Sequence, residues 1–141
     1  VILGSTQQLP ASTDSDYDDP LTIPARLFAA GVRFALAHTG GGSWDQRNLP
    51  FQAGAAVSGG LPADEALRAI TLGAAEALGL ADRYGSLEVG KSATLFVSDG
   101  DVMDPIGQRV RALWIDGRPV DLEDKHKELF RKYRMKQEQA R

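Results

Sequence analysis

Val32-Arg-Phe-Ala-Leu-Ala37 runs straight into His38-Thr-Gly-Gly-Gly-Ser-Trp-Asp-Gln-Arg-Asn48, and this stretch decides how the chain folds. Its first six residues are apolar apart from Arg33, the pattern of a strand covered on both faces, as in parallel sheets. Upstream, Val1–Leu9 (VILGSTQQL) reads as another strand, stopped by Pro10 and an acidic loop, Ala11–Asp19. Between the two, Leu21–Ala30 reads as a short helix, with Pro24 in its first turn and Gly31 just past its end. Strand, helix, strand is a βαβ unit, which implies parallel strands and a right-handed crossover.

Downstream of the glycine-rich loop, Leu49–Val57 reads as an apolar helix closed by Gly59-Gly60. Pro62-Ala63-Asp64-Glu65 opens the next helix, on which Leu67, Ile70, Ala74 and Leu78 fall close to one face. Gly73 is expected to break that stretch in two. From Tyr84 the period changes. Ala93–Ser98 and Val110–Ile115 read as strands, and Asp116-Gly117 as a type I′ turn returning into Arg118–Val120. Pro119 places that last strand at a sheet edge. Leu122–Lys136 reads as an amphipathic helix with Leu122, His126, Leu129 and Tyr133 on its packed stripe.

Composition narrows the possibilities. The 141 residues contain no Cys, which removes disulfides and thiolate chemistry, and the two His, at 38 and 126, form no local metal motif. No apolar run approaches the roughly 20 residues that span a bilayer. A soluble protein of the cytoplasm or periplasm is expected, with no membrane partner. Net charge is −3, distributed as −2, −3 and +2 over residues 1–60, 61–120 and 121–141. The basic end suits a solvated helix, with cations near its C-terminus. No nucleic-acid recognition motif accompanies it, so nucleic acid is not an expected partner.

Three motifs require weighing. Gly85-Ser-Leu-Glu-Val-Gly90-Lys91-Ser92 matches the phosphate-loop pattern, but a strand follows it where the pattern needs a helix. Asp14-Ser-Asp16-Tyr-Asp18 resembles the opening of a calcium loop, yet Asp19 and Ala25 stand where Gly and Glu are required. His38 lies just past the end of a parallel strand, where ligands and catalytic groups gather in α/β sheets and barrels. It could serve as a ligand, a general base or a substrate contact, or as an ordinary hydrogen-bonded residue.

Gly60-Leu-Pro-Ala-Asp-Glu-Ala-Leu-Arg-Ala-Ile-Thr71 and Ala77-Leu-Gly-Leu-Ala-Asp-Arg-Tyr-Gly-Ser-Leu-Glu-Val-Gly-Lys91 resemble the amidohydrolase superfamily, its imidazolonepropionase-related branch in particular. Ala93–Asp101 and the hairpin of Val110–Val120 resemble that family's closing β segment. Gly31–Ala37 with Arg47-Asn-Leu-Pro-Phe51 resembles its last barrel strand and following helix. The resemblance implies an α/β fold comprising the last part of a (β/α)8 TIM-type barrel, strands 7 and 8 with their helices. The C-terminal strands of a small β-sandwich and a closing helix follow. In those terms residues 1–83 are barrel, 84–120 sandwich segment and 121–141 the closing amphipathic helix. A whole barrel needs roughly 250 residues, so the chain is expected to be the C-terminal portion of something longer.

The family hydrolyses cyclic amides and related C–N bonds with water activated by a divalent metal, commonly zinc. The resemblance therefore implies a zinc-type cofactor held mainly by residues outside this chain, a small-molecule substrate and the rest of a parent chain as partner, and leaves a homo-oligomer possible. By the same likeness His38 is the candidate catalytic residue and the one candidate metal ligand here. Thr39, Trp44 and Asp45 from the second strand-end loop, with Gln8 and Asp16 from the first, are the candidate substrate contacts. The family's acid at the end of strand 8 should fall at His38 or Thr39, and neither is acidic. Asp45 is the nearest carboxylate in sequence, and a non-catalytic barrel kept for binding or scaffolding is the alternative reading.

Overall fold

In the computed structural model the N-terminal strand β1 (Ile2–Leu3) pairs in parallel with β2 (Ala35–Leu36), in the register Ile2 to Ala35 and Leu3 to Leu36. The structure describes residues 1–40 and 42–139. Gly41 of the glycine-rich loop, and Ala140 and Arg141 of the closing segment, lie outside the described residues. The parallel ladder is short: Ala35 N donates to Val1 O at 2.9 Å and Ala37 N to Leu3 O at 2.8 Å. The nine-residue strand expected over Val1–Leu9 is thus only two residues long. From Ser5 onward the backbone turns its hydrogen bonds toward side chains instead of a neighbouring strand. Val32–Phe34 likewise precede β2 rather than belong to it.

The crossover is helix α1 (Asp19–Ala29), which starts two residues earlier than its apolar pattern because Thr22 Oγ1 and the Leu21 and Thr22 amides bond back to Asp18 O. A 3-10 turn (Ser43–Asn48) leads into α2 (Leu49–Ser58). Helices α3 (Ala63–Ile70) and α4 (Leu72–Ala77) follow. The break between these two lies at Thr71, whose φ of −122° and ψ of −98° are not helical, and not at Gly73. Gly73 instead sits buried inside α4, where an added Cβ would stand 3.2 Å from Phe34 O. Its missing side chain lets the helix press against the approach to β2.

The core is small and built mainly from alanine. Leu36, Ala53, Ala56, Leu61, Ala66, Ala69 and Met103 form it, with Leu3, Phe34, Val57 and Ile70 against its edge. Small residues let helices approach closely. At Gly59 the approach is closest: a Cβ there would lie 2.0 Å from Leu21 O, so the end of α2 abuts the first turns of α1.

The second sheet is antiparallel. Strand β3 (Leu95–Asp99) pairs with β4 (Arg109–Ile115) through a bulge at Val97/Ser98, and β4 pairs with β5 (Arg118–Pro119). Asp116 at φ +48° and Gly117 at φ +77° form the left-handed pair that a I′ turn demands. Helix α5 (Lys125–Gln139) closes the described chain. It buries none of its residues, so His126 is exposed and the packed stripe expected there is absent. No helix among the described residues is long and apolar enough to cross a membrane.

Candidate functional site

Both parallel strands run out at the same rim. Beyond β1 come Gly4, Ser5 and Thr6; beyond β2 come His38 and Thr39. Ser5 and Thr39 fasten the two exits together. Ser5 N donates to Thr39 Oγ1 at 3.2 Å, Ser5 Oγ contacts Thr39 O at 3.1 Å, and Thr39 N donates to Ser5 Oγ at 3.1 Å. This replaces the strand ladder that the sequence leads one to expect at these positions.

Gln52 holds the next turn. Its Oε1 accepts from Thr6 N at 2.8 Å and Gln7 N at 3.0 Å, its Nε2 donates to Gln7 Oε1 at 3.2 Å, and its backbone carbonyl accepts from Thr6 Oγ1 at 2.7 Å. Gln52 and Thr6 are both buried. A buried amide in an apolar helix would be costly without partners, and here each end of the amide has one. Sequence reasoning missed Ser5, Thr6 and Gln52. The available signal was the single polar residue in Leu49-Pro-Phe-Gln-Ala-Gly-Ala-Ala56.

His38 is largely enclosed at the rim, with its side chain 11% exposed. Its Nε2 stands 3.6 Å from Asp45 Oδ2, and Asp45 Oδ1 accepts from Asn48 Nδ2 at 3.0 Å. Asp45 and Asn48 are three residues apart on the 3-10 turn, a spacing that superposes side chains on one side. That turn returns the carboxylate to the strand end. His38 Nδ1 is buried and, among the described residues, is the buried side-chain atom with no hydrogen-bond partner.

Trp44 is exposed and lies over Gly42, where a Cβ would meet its indole Cδ1 and Nε1 at 2.8 Å. Thr39 and Gln8 are exposed, as is Asp16 on the acidic loop, whose carbonyl accepts from Asp19 N at 3.1 Å. The structure therefore brings together His38 and Asp45. Gln8 lines a different, open depression with Thr6, Gln7, Leu9, Tyr17 and Leu21, whose wall does not include His38. The phosphate-loop match has lost its lysine to a local pair: Lys91 Nζ lies 3.1 Å from Glu88 Oε1 and 2.5 Å from Ser86 Oγ, and β3 follows.

Among the described residues no three His, Asp or Glu side chains cluster closely enough to hold a metal ion. The donors present, one imidazole with a free nitrogen and a neighbouring carboxylate, fit one corner of such a site.

A family model described as the amidohydrolase family matches residues 22–125, from within α1 through β2, the helices α2–α4 and the antiparallel sheet to the start of α5. The chain belongs to the amidohydrolase family. Within that family, it is 39% identical over 106 residues to an imidazolonepropionase of Micrococcus luteus, covering 70% of this chain and 26% of that protein. It is 44% identical over 77 residues to an imidazolonepropionase of Syntrophobacter fumaroxidans, covering 53% and 18%. This amidohydrolase-family chain thus spans about a quarter or less of the curated relatives it matches. Among solved structures, an amidohydrolase from Thermotoga maritima superposes with a TM-score of 0.66 at 29% identity, over 78% of this chain and 29% of that one. The mixed α/β architecture is therefore that of amidohydrolase relatives.

Proposed function

We propose that this chain supplies the C-terminal part of a hydrolase acting on a non-peptide C–N bond, a cyclic amide or related small molecule. In this reading β1 and β2 are the last two strands of a (β/α)8 barrel, and β3–β5 are strands of a composite β-sandwich. Completion of the barrel by further chain supplies most of the active site. The observation that carries the reading is the rim itself. His38 stands at the C-terminal end of a parallel strand, where barrel enzymes keep their chemistry, with a carboxylate 3.6 Å away.

A divalent metal, when bound, would supply Lewis-acid activation of water and of the scissile carbonyl. This chain would contribute His38 to that site, with Asp45 behind it. Thr39, tied to Ser5, fixes the spacing of the two strand exits, and exposed Trp44 offers an apolar wall at the mouth.

The absence of an acid at the strand end favours a second reading, a barrel kept for binding alone. The approach of Asp45 to His38 argues for the catalytic reading, because it returns a carboxylate to the same rim. The test is turnover of cyclic amides and N-acylated dipeptides by the full-length protein, with and without added zinc. Turnover that falls at least 100-fold in His38→Ala is expected. No hydrolysis across the panel, and no bound metal, would select the binding protein; unchanged turnover in His38→Ala would remove that residue from the chemistry.

A further inference from the structure

The His38 ring poses a question that the hydrolase reading does not answer: which of its nitrogens carries the proton. A carboxylate only accepts hydrogen bonds. Asp45 faces Nε2, and Asn48 Nδ2 holds the other carboxylate oxygen at 3.0 Å. A proton on Nε2 therefore meets a negative charge, whereas a lone pair there would be repelled by it. The 3.6 Å separation is longer than a hydrogen bond, so the preference is electrostatic. It operates in a site 11% exposed on the His38 side and 19% exposed on the Asp45 side, where water screens the charge poorly.

With the neutral ring's single proton on Nε2, Nδ1 is left with its lone pair. That atom is buried and without a partner among the described residues. A buried acceptor left unsatisfied is costly, and here it is the vacant end of the chain Asn48–Asp45–His38.

We propose that Asp45, held by Asn48, is the positioning residue that fixes His38 as its Nε2–H tautomer, so that Nδ1 presents an unprotonated lone pair to an electron-pair acceptor. The acceptor is a divalent cation or an acidic N–H of the substrate; the chemistry demanded of Nδ1 is the same. This rests on the hydrolase reading only for the identity of the acceptor. The tautomer itself is a property of the chain.

The experiment is imidazole nitrogen NMR on the full-length protein with labelled histidine. Any other histidines are assigned by single substitution, and the exposed His126 by His126→Gln. With the ring neutral, His38 is expected to show an unprotonated Nδ1 and a protonated Nε2. Asp45→Asn is expected to lose that preference, and Asp45→Glu to retain it. Should Asp45→Asn not fold, Asn48→Ala loosens the same carboxylate and is expected to give a mixture of tautomers. A protonated Nδ1 in the unmodified protein, or a tautomer indifferent to both Asp45→Asn and Asn48→Ala, would overturn the proposal.

Zinc titration separates the two acceptors. If the cation is the acceptor, the Nδ1 resonance moves on adding zinc, and zinc affinity falls about 10- to 100-fold in Asp45→Asn, the range for removing a carboxylate behind a ligating histidine. If the substrate N–H is the acceptor, zinc leaves Nδ1 in place and a cyclic amide moves it. If neither moves it, the lone pair has no acceptor and the proposal falls. Absence of turnover with the tautomer intact would count against the hydrolase reading alone.

Discussion

Gln52 shows how much of this rim depends on single side chains. Its one amide oxygen accepts from two successive backbone amides, Thr6 and Gln7, while Thr6 is itself buried. Gln52→Ala would leave those two N–H groups without partners, and one buried donor left unsatisfied costs about 1–3 kcal/mol. A loss of about 2–4 kcal/mol is expected, read as a lower urea midpoint at unchanged slope. Gln52→Glu keeps the accepting oxygen and is expected to lose less. Equal losses for the two variants would mean that the packing of the side chain, and not its oxygen, fixes the loop. The residue types at this scale were visible in sequence, but their pairing was not. His38 and Asp45 are seven apart and Thr6 and Gln52 forty-six, and nothing periodic links either pair.

At the scale of elements, the hairpin and its neighbour are joined through Asp116. Ser92 Oγ donates to its carboxylate, with Tyr84 OH and Thr94 Oγ1 each 3.4 Å away, and Asp116 N donates to Thr94 Oγ1 at 3.0 Å. The Ser92 hydroxyl first, then Tyr84, Thr94 and the charge of Arg83, hold this carboxyl below the ordinary aspartate value of 3.8. A depressed value means that the contribution to stability is complete above about pH 3.8 and is lost as pH falls through the lower folded value. The protection of amides 92–94 and 116–117 relative to the unstructured chain is therefore expected to fall below that point. Asp116→Asn should flatten the acid limb, and an unaltered limb would show that another carboxylate governs it.

The elements themselves were legible where a period or a turn rule decides them: α2 within one residue, and the I′ turn by its Asp-Gly pair. They were misjudged where packing decides. Val1–Leu9 has strand-like composition, yet extended backbone becomes a ladder only beside a partner. Gly73 looked like a break, yet close approach to Phe34 keeps it inside a helix.

At the scale of the molecule, surface is the decisive quantity. The accessible area is 10006 Å², whereas a folded monomer of 15.2 kDa should expose roughly 7,100 Å². The excess is partly apolar. Leu78, Leu87, Phe96, Val97 and Ile106 are all exposed, and Leu67, Ile70, Leu80, Leu87 and Phe96 share an open groove of about 540 Å³ between α3–α4 and β3. A two-stranded parallel sheet with open edges adds unpaired backbone. The isolated 141 residues are thus expected to bind a hydrophobic dye, to associate with rising concentration in sedimentation, and to melt without a sharp transition. A monodisperse, cooperative, dye-free chain would contradict this.

The sequence by itself determined the parallel strand–helix–strand order, the change of period at Tyr84, the hairpin and the family. Each of these is written in local spacing or in runs of residues that relatives share. Only the tertiary structure decided that Asp45 returns to His38, that Gln52 holds the loop after β1, and that α5 stands clear of the core. Such pairings depend on where loops close and which buried polar groups must find partners, and neither has a signature along the chain.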